Sequence, residues 1–200
     1  MTAAEKLAFT ADDFLSWESA QEIKHEFADG IAYAMAGAGE RHVTISGNLF
    51  ATLRNHVRGT PCRSYISDMK LRVDESDAFF YPDVFVTCSD NDAKREDYKK
   101  EPVLVIEVLS PSTAAYDRGL KFAHYRKLAA LMEYVLIDPE RVSVEVFRRD
   151  TTGHWVFYPY GPDDTVELAS VNMTLPMNAV YEDAWPDLPP QPHAQQGRDT

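Results

Sequence analysis

The most constraining stretch of the chain is residues 102–110, Pro-Val-Leu-Val-Ile-Glu-Val-Leu-Ser, where Glu107 stands inside an otherwise apolar run. A run of this kind reads as a strand buried on both faces. A carboxylate removed from water must be paired, neutralised or bound to a cation. The fold therefore has to bring a partner to Glu107. A second apolar, β-rich run over residues 79–88 carries Asp83. Pro82 lies near its start, where a missing N–H donor is tolerated. Two acids on neighbouring strands can hold a hard divalent cation. Mg2+ takes oxygen ligands, usually one or two carboxylates with waters and a substrate phosphate. The backbone carbonyl of Val108 adds a further oxygen.

The chain after Glu107 supplies a candidate partner. Ser110-Pro111-Ser112-Thr113 ends the strand, a helix is expected over residues 116–130, and Tyr134-Val135-Leu136-Ile137-Asp138 reads as another buried strand. This is a βαβ unit, and its crossover should be right-handed. Asp117, Lys121 and Tyr125 recur every four residues and so share one helix face. The crossover returns the start of that helix to the end of the strand bearing Glu107. Lys121 can then reach the acids, where a lysine orients or helps deprotonate an attacking water, or stabilises charge developing on a phosphate.

Upstream, Thr10 caps a helix whose aspartates Asp12 and Asp13 suit its positive end, with Phe14, Leu15 and Trp17 as its apolar face. Asp29-Gly30 between residues 25–28 and 31–35 is a hairpin signal. Residues 40–58 form an amphipathic helix, with Val43, Phe50 and Val57 at heptad spacing and Leu49 and Leu53 beside them. Gly59-Thr60-Pro61 stops it. Residues 62–66 and 69–73 are short strands, and residues 89–101 are expected to be a charged, mobile loop. Residues 142–148 and 155–160 alternate apolar and polar around Thr151-Thr152-Gly153, a second hairpin. The expected domain spans residues 7–185. Residues 186–200, rich in Pro and Gln, lack the apolar content for a core and are expected to be disordered.

Composition excludes some classes. The net charge of −12 argues against a large non-specific nucleic-acid surface, which needs Lys and Arg at phosphates. It does not exclude a local basic groove, and it fits a cluster of acids awaiting a cation. No run approaches the roughly 18 apolar residues that span a bilayer, and the N-terminal residues lack the features of a signal peptide. A cytoplasmic protein is expected, with Cys62 and Cys88 as free, buried thiols. Gly37-Ala38-Gly39 is not followed by the Lys-Ser or Lys-Thr of a phosphate loop. Ser110 and Ser112 lack the setting of a nucleophile, and the histidines form no zinc pattern.

Several of these residues, taken in order, resemble a known family. Pro82-Asp83, a spacer, then Glu107 after a hydrophobic run resembles the PD-(D/E)XK nuclease superfamily. The wider set is more specific: Tyr81-Pro82-Asp83-Val84, Val105-Ile106-Glu107-Val108-Leu109-Ser110-Pro111-Ser112-Thr113, Asp117-Arg118-Gly119-Leu120-Lys121, Tyr125, and Glu133-Tyr134-Val135-Leu136-Ile137-Asp138-Pro139. It is similar to the Uma-two-type restriction endonucleases, as are Glu26-Phe27-Ala28-Asp29-Gly30-Ile31 and the segment around His42. The resemblance covers residues 10–180. It implies an α/β, restriction endonuclease-like core with a mixed β-sheet flanked by helices. It also implies Mg2+ (or Mn2+) at Asp83 and Glu107, Glu26 as a further acid contributing to the metal site, DNA as substrate, and a homodimer. The superfamily's usual lysine lies two residues after the Glu, where this chain has Leu109, so the resemblance assigns that role to Lys121. His42 is an accessory candidate.

The function expected is Mg2+-dependent hydrolysis of DNA phosphodiester bonds. The alternative is a catalytically silent nucleic-acid-binding or assembly module on the same fold, since fold alone does not fix function. A phosphoesterase acting on small nucleotides is a third reading.

Overall fold

A computed structural model describes residues 5–6 and 10–185. The expectation of a disordered tail falls on residues outside these. The chain forms two six-stranded sheets and a two-stranded ribbon, flanked by helices. In order the elements are β1 (Glu5–Lys6), α1 (Ala11–Glu18), β2 (His25–Ala28), β3 (Ile31–Ala34), α2 (Glu40–His56), β4 (Arg63–Ile66), β5 (Lys70–Val73), β6 (Ala78–Phe80), β7 (Val84–Thr87), α3 (Asp90–Lys94), β8 (Tyr98–Lys99) and β9 (Pro102–Val108). There follow α4 (Ala114–Tyr116), a π-helical turn (Asp117–Lys121), α5 (Phe122–Tyr125), β10 (Glu133–Asp138), β11 (Ser143–Arg149), β12 (Trp155–Tyr160), β13 (Thr165–Leu168), β14 (Met173–Pro176) and α6 (Met177–Val180).

The central sheet has the order β12-β11-β10-β9-β7-β4. Only β9 and β10 are parallel within it, so the sheet is mixed, with the βαβ unit at its centre. Alternation along β9 divides its side chains between two cores. Leu104, Ile106 and Val108 face Ile45, Leu49 and Leu53 of α2 and the β13–β14 ribbon. Val105 and Leu109 face Phe122, Tyr125 and Leu131, together with Leu71 and Phe80 of the other sheet. Glu107 belongs to this second face by the same alternation. The other sheet has the order β1-β3-β2-β6-β5-β8. Its Phe27 and Phe79 stack with Phe14 of α1. Thr10 and Asp13 form the expected capping box at the start of α1. The β2–β3 hairpin turns on Asp29 and Gly30, both at positive φ (53° and 75°), as a tight primed turn requires.

Five features depart from the sequence reading. The acid-bearing run 79–88 is two strands, in different sheets. β6 and β7 are separated by Tyr81-Pro82-Asp83, where Pro82 has no donor for a ladder and the Tyr81 N–H donates to the Glu26 carboxylate at 3.1 Å. The helix after Glu107 stops at Tyr125 and contains a π turn. The Arg149 guanidinium closes its far end by donating to the carbonyls of Arg126, Leu128 and Ala129, the groups a helix end leaves unpaired.

Residues 89–101 are ordered. Ser89 caps α3, and buried Asp92 accepts from the Thr87 hydroxyl, Arg95 and the N–H groups of Lys100 and Glu101. Cys62 and Cys88 are half-buried and joined in a disulfide, not free thiols. One step beyond the Arg63–Thr87 pair of the β4–β7 ladder, the antiparallel register sets them opposite each other. On α2 the buried stripe runs through Ile45, Leu49, Leu53 and Val57, while Val43 faces outward. Among the described residues no helix is long and apolar enough to cross a membrane.

Candidate active site

The site forms where the chain passes between the two sheets. β7 and β9 are antiparallel with Val84 opposite Ile106, so the next step of the register brings Asp83 opposite Glu107. Asp83 then leaves the ladder, and its Oδ2 accepts from the Val108 N–H at 2.8 Å. This fixes one carboxylate at the edge of the parallel strand that bears the other.

Lys121 occupies the floor. Its Nζ lies 3.0 Å from Glu107 Oε1, 2.8 Å from Glu26 Oε1 and 3.9 Å from Asp117 Oδ1. All four side chains are buried. The Tyr125 hydroxyl donates to the same Glu107 oxygen at 2.8 Å, and the Tyr134 hydroxyl donates to the Asp117 carbonyl at 3.0 Å. The shared face of Lys121 and Tyr125 survives the π turn, and both reach Glu107. Leu109, where the superfamily usually carries its lysine, is buried among apolar side chains. The amine that reaches Glu107 comes from the helix, on Lys121.

Three buried acids surround one ammonium, and the protonation follows from that imbalance. Burial holds the Glu107 carboxyl well above the carboxylate range; Lys121 opposes this, and Asp83, Asp117 and Glu26 add to it. Asp117 is raised in the same way, by burial first. Burial also works against the charge on Lys121, but Glu107, Glu26 and Asp117 outweigh it and hold the ammonium protonated. Lys121 is thus a cation and hydrogen-bond donor, not a base.

His42, near the start of α2, places Nε2 3.3 Å from Asp83 Oδ2. Burial lowers its affinity for a proton, but the Asp83 carboxylate and the Val108 carbonyl more than compensate, and its pKa rises. The Val108 carbonyl, a candidate metal donor from sequence, therefore faces His42. Asp83, Glu107, Glu26, His42, Asp117 and Lys121 all line one cleft of about 770 Å³.

Among the described residues no three His, Cys, Asp or Glu side chains converge as a ready-made metal cage. The donors facing the cleft still suit a hard cation, which needs only one or two protein carboxylates. Glu107 Oε1 is engaged by Lys121 and Tyr125, so Oε2 is the oxygen that a cation would take from it. The sequence places Tyr81 in the Tyr81-Pro82-Asp83-Val84 motif without giving it a role; its N–H holds Glu26 and its hydroxyl donates to buried Glu18 at 3.1 Å. Sequence reasoning gave Asp117 no role beyond a pair with Lys121. That four-residue spacing was the signal for Asp117; nothing local revealed that Tyr81 would meet Glu26 and Glu18.

Residues 11–178 match the model of the Uma2 family, described as "Putative restriction endonuclease". Two relatives from Synechocystis sp. are similar over most of their length. The uncharacterized protein slr1290 is 36% identical over 170 residues, 85% of this chain and 90% of that protein. The uncharacterized protein sll1609 is 33% identical over 160 residues, 78% of this chain and 89% of that one. The fold is shared with the crystal structure of a putative nuclease belonging to DUF820 from Anabaena variabilis. Its TM-score is 0.74 at 20% identity, covering 88% of this chain and 99% of that one.

Proposed function

This chain belongs to the Uma2 family, and from that premise we propose that it hydrolyses DNA phosphodiester bonds with Mg2+, or Mn2+ in its place. Asp83 and Glu107 hold the cation in this reading. The observation that carries it is the reach of Lys121 to Glu107, 3.0 Å from Nζ to Oε1, at the floor of the cleft that Asp83 also lines. The bound cation would lower the pKa of a water and polarise the phosphodiester.

The chain's own residues do the rest. Lys121, kept protonated by its acids, donates to the attacking water or to a non-bridging phosphate oxygen and offsets the charge that develops there. Glu26 holds Lys121 in place and is itself held by the Tyr81 N–H. Tyr125 fixes one oxygen of Glu107, and His42 with the Val108 N–H fixes Asp83. Such supports matter because small displacements of reacting groups cost large factors in rate.

Plasmid cleavage in Mg2+ tests the reading. Wild type should cut, and Asp83→Ala and Glu107→Ala should not. Equal cutting by all three proteins would mean the activity resides elsewhere. Absence of cutting by wild type, with no Mg2+ or Mn2+ bound, would favour the silent binding module instead.

A further inference from the structure

The wall of the cleft beside the charged cluster is aromatic. Glu26 on β2 is directly opposite Tyr33 on β3, and residues so paired share a face. Tyr33 therefore stands next to the carboxylate that holds Lys121. Tyr116, the residue before Asp117, faces it with ring centroids 6.2 Å apart and planes inclined at 43°. Both rings are half-buried and line the cleft. The Tyr116 hydroxyl is buried without a hydrogen-bond partner.

The charges of the same cleft are unusual for a nuclease acting on a long duplex. Lys24, Arg41 and Lys121 are the lysines and arginines that line it. Each is already paired: Lys24 with Asp68, Arg41 with Glu140 at 3.2 Å, and Lys121 with Glu26 and Glu107. Against them stand Glu26, Glu40, Asp83, Glu107, Asp117 and Glu140. Duplex DNA is gripped by rows of cations that neutralise successive phosphates, and among the described residues this cleft has no unpaired lysine or arginine to form such a row. Unpaired bases can be held another way, by stacking on aromatic rings, which is worth about tenfold or more in affinity per base and tolerates any sequence.

We infer that the cleft accepts an unpaired nucleotide against Tyr33 and Tyr116, so that the substrate is single-stranded DNA or an unpaired segment within DNA. This inference rests on the nuclease reading above, because it takes the metal-held phosphate as the anchor beside which the base stacks.

Binding of fluorescent oligonucleotides, with Ca2+ replacing Mg2+ to suppress turnover, tests it directly. A single strand should bind about tenfold or more tighter than the duplex of the same sequence. Tyr33→Leu should weaken single-strand binding about tenfold, while Tyr33→Phe, which keeps the ring, should bind like wild type. Equal or tighter binding of the duplex would overturn the inference, and so would unchanged single-strand binding by a folded Tyr33→Leu protein. If Tyr33→Leu does not fold, the comparison of single strand with duplex on wild type decides alone. Tyr33-dependent single-strand binding without cleavage in Mg2+ would sink the hydrolysis and leave this inference standing. Cleavage that favours duplex would do the reverse.

Discussion

Lys121 and Glu107 meet at 3.0 Å across the βαβ crossover, both buried, with Glu26 of the other sheet 2.8 Å from the same ammonium. One lysine thus ties two sheets and a helix together at the floor of the cleft. Buried ion pairs add little net stability over an apolar replacement, but removing one partner is costly, because a buried charge is left alone.

Lys121→Met should therefore destabilise the protein by about 3–5 kcal/mol at neutral pH. The loss should shrink in acid, where Glu107 and Asp117 are neutral and need no cation. Urea unfolding at neutral and at acidic pH checks this. An equal loss at both would show that the acids do not depend on Lys121.

Glu107 and Asp117 carry raised pKa values in the folded state, through burial first. An acid with a raised folded pKa contributes stability below its unfolded pKa, about 4.3 for Glu. That contribution is lost as pH rises towards the folded value. Glu107→Gln does not titrate, so its stability relative to wild type should increase as pH rises above that point. Thermal melts across this range measure it. A relative stability that falls with rising pH would contradict the raised pKa of Glu107.

Glu133 offers a contrast within the same sheet. It is fully buried at the start of β10 and accepts from Arg148 Nε at 2.7 Å, from the N–H groups of Ala169 and Ser170, and from the Ser170 hydroxyl. It lies outside the cleft. Glu133→Ala should cost about 3–5 kcal/mol of stability and leave Mn2+ binding by the folded protein unchanged. Loss of metal binding in that variant would mean that the cleft extends further than its lining residues indicate.

The Cys62–Cys88 bridge closes the end of the β4–β7 ladder away from Asp83. Reduction should lower stability by about 3.5 kcal/mol, the loop-closure value for a link of this span. Metal affinity should not change. Denaturation with and without reductant, beside metal titration of both forms, provides the check. A changed metal affinity would show that strain passes along β7 to Asp83.

Local features were legible where local chemistry decides the outcome. Asp29-Gly30 specified its own turn, Thr10 and Asp13 their cap, and the apolar neighbours of Glu107 announced a buried acid in need of a partner. The four-residue spacing of Asp117, Lys121 and Tyr125 placed the helix face correctly even though the helix is interrupted by a π turn. What could not be read depends on contacts distant in sequence. The run 79–88 is divided because Glu26, far upstream, accepts the Tyr81 N–H. Cys62 meets Cys88 through the register of a ladder, which no spacing reveals. Residues 89–101 are ordered by buried Asp92, whose partners lie on both sides of it. Val43 shows the limit of heptad counting, which cannot tell which side of a helix the core will cover.

Titration of the protein with Mn2+, followed by isothermal calorimetry, tests the central claim most directly. The account predicts saturable binding to wild type, lost in both Asp83→Ala and Glu107→Ala while each variant keeps its fold. Undiminished binding by either folded variant, or none by wild type, would contradict the assignment of these two carboxylates as the metal site.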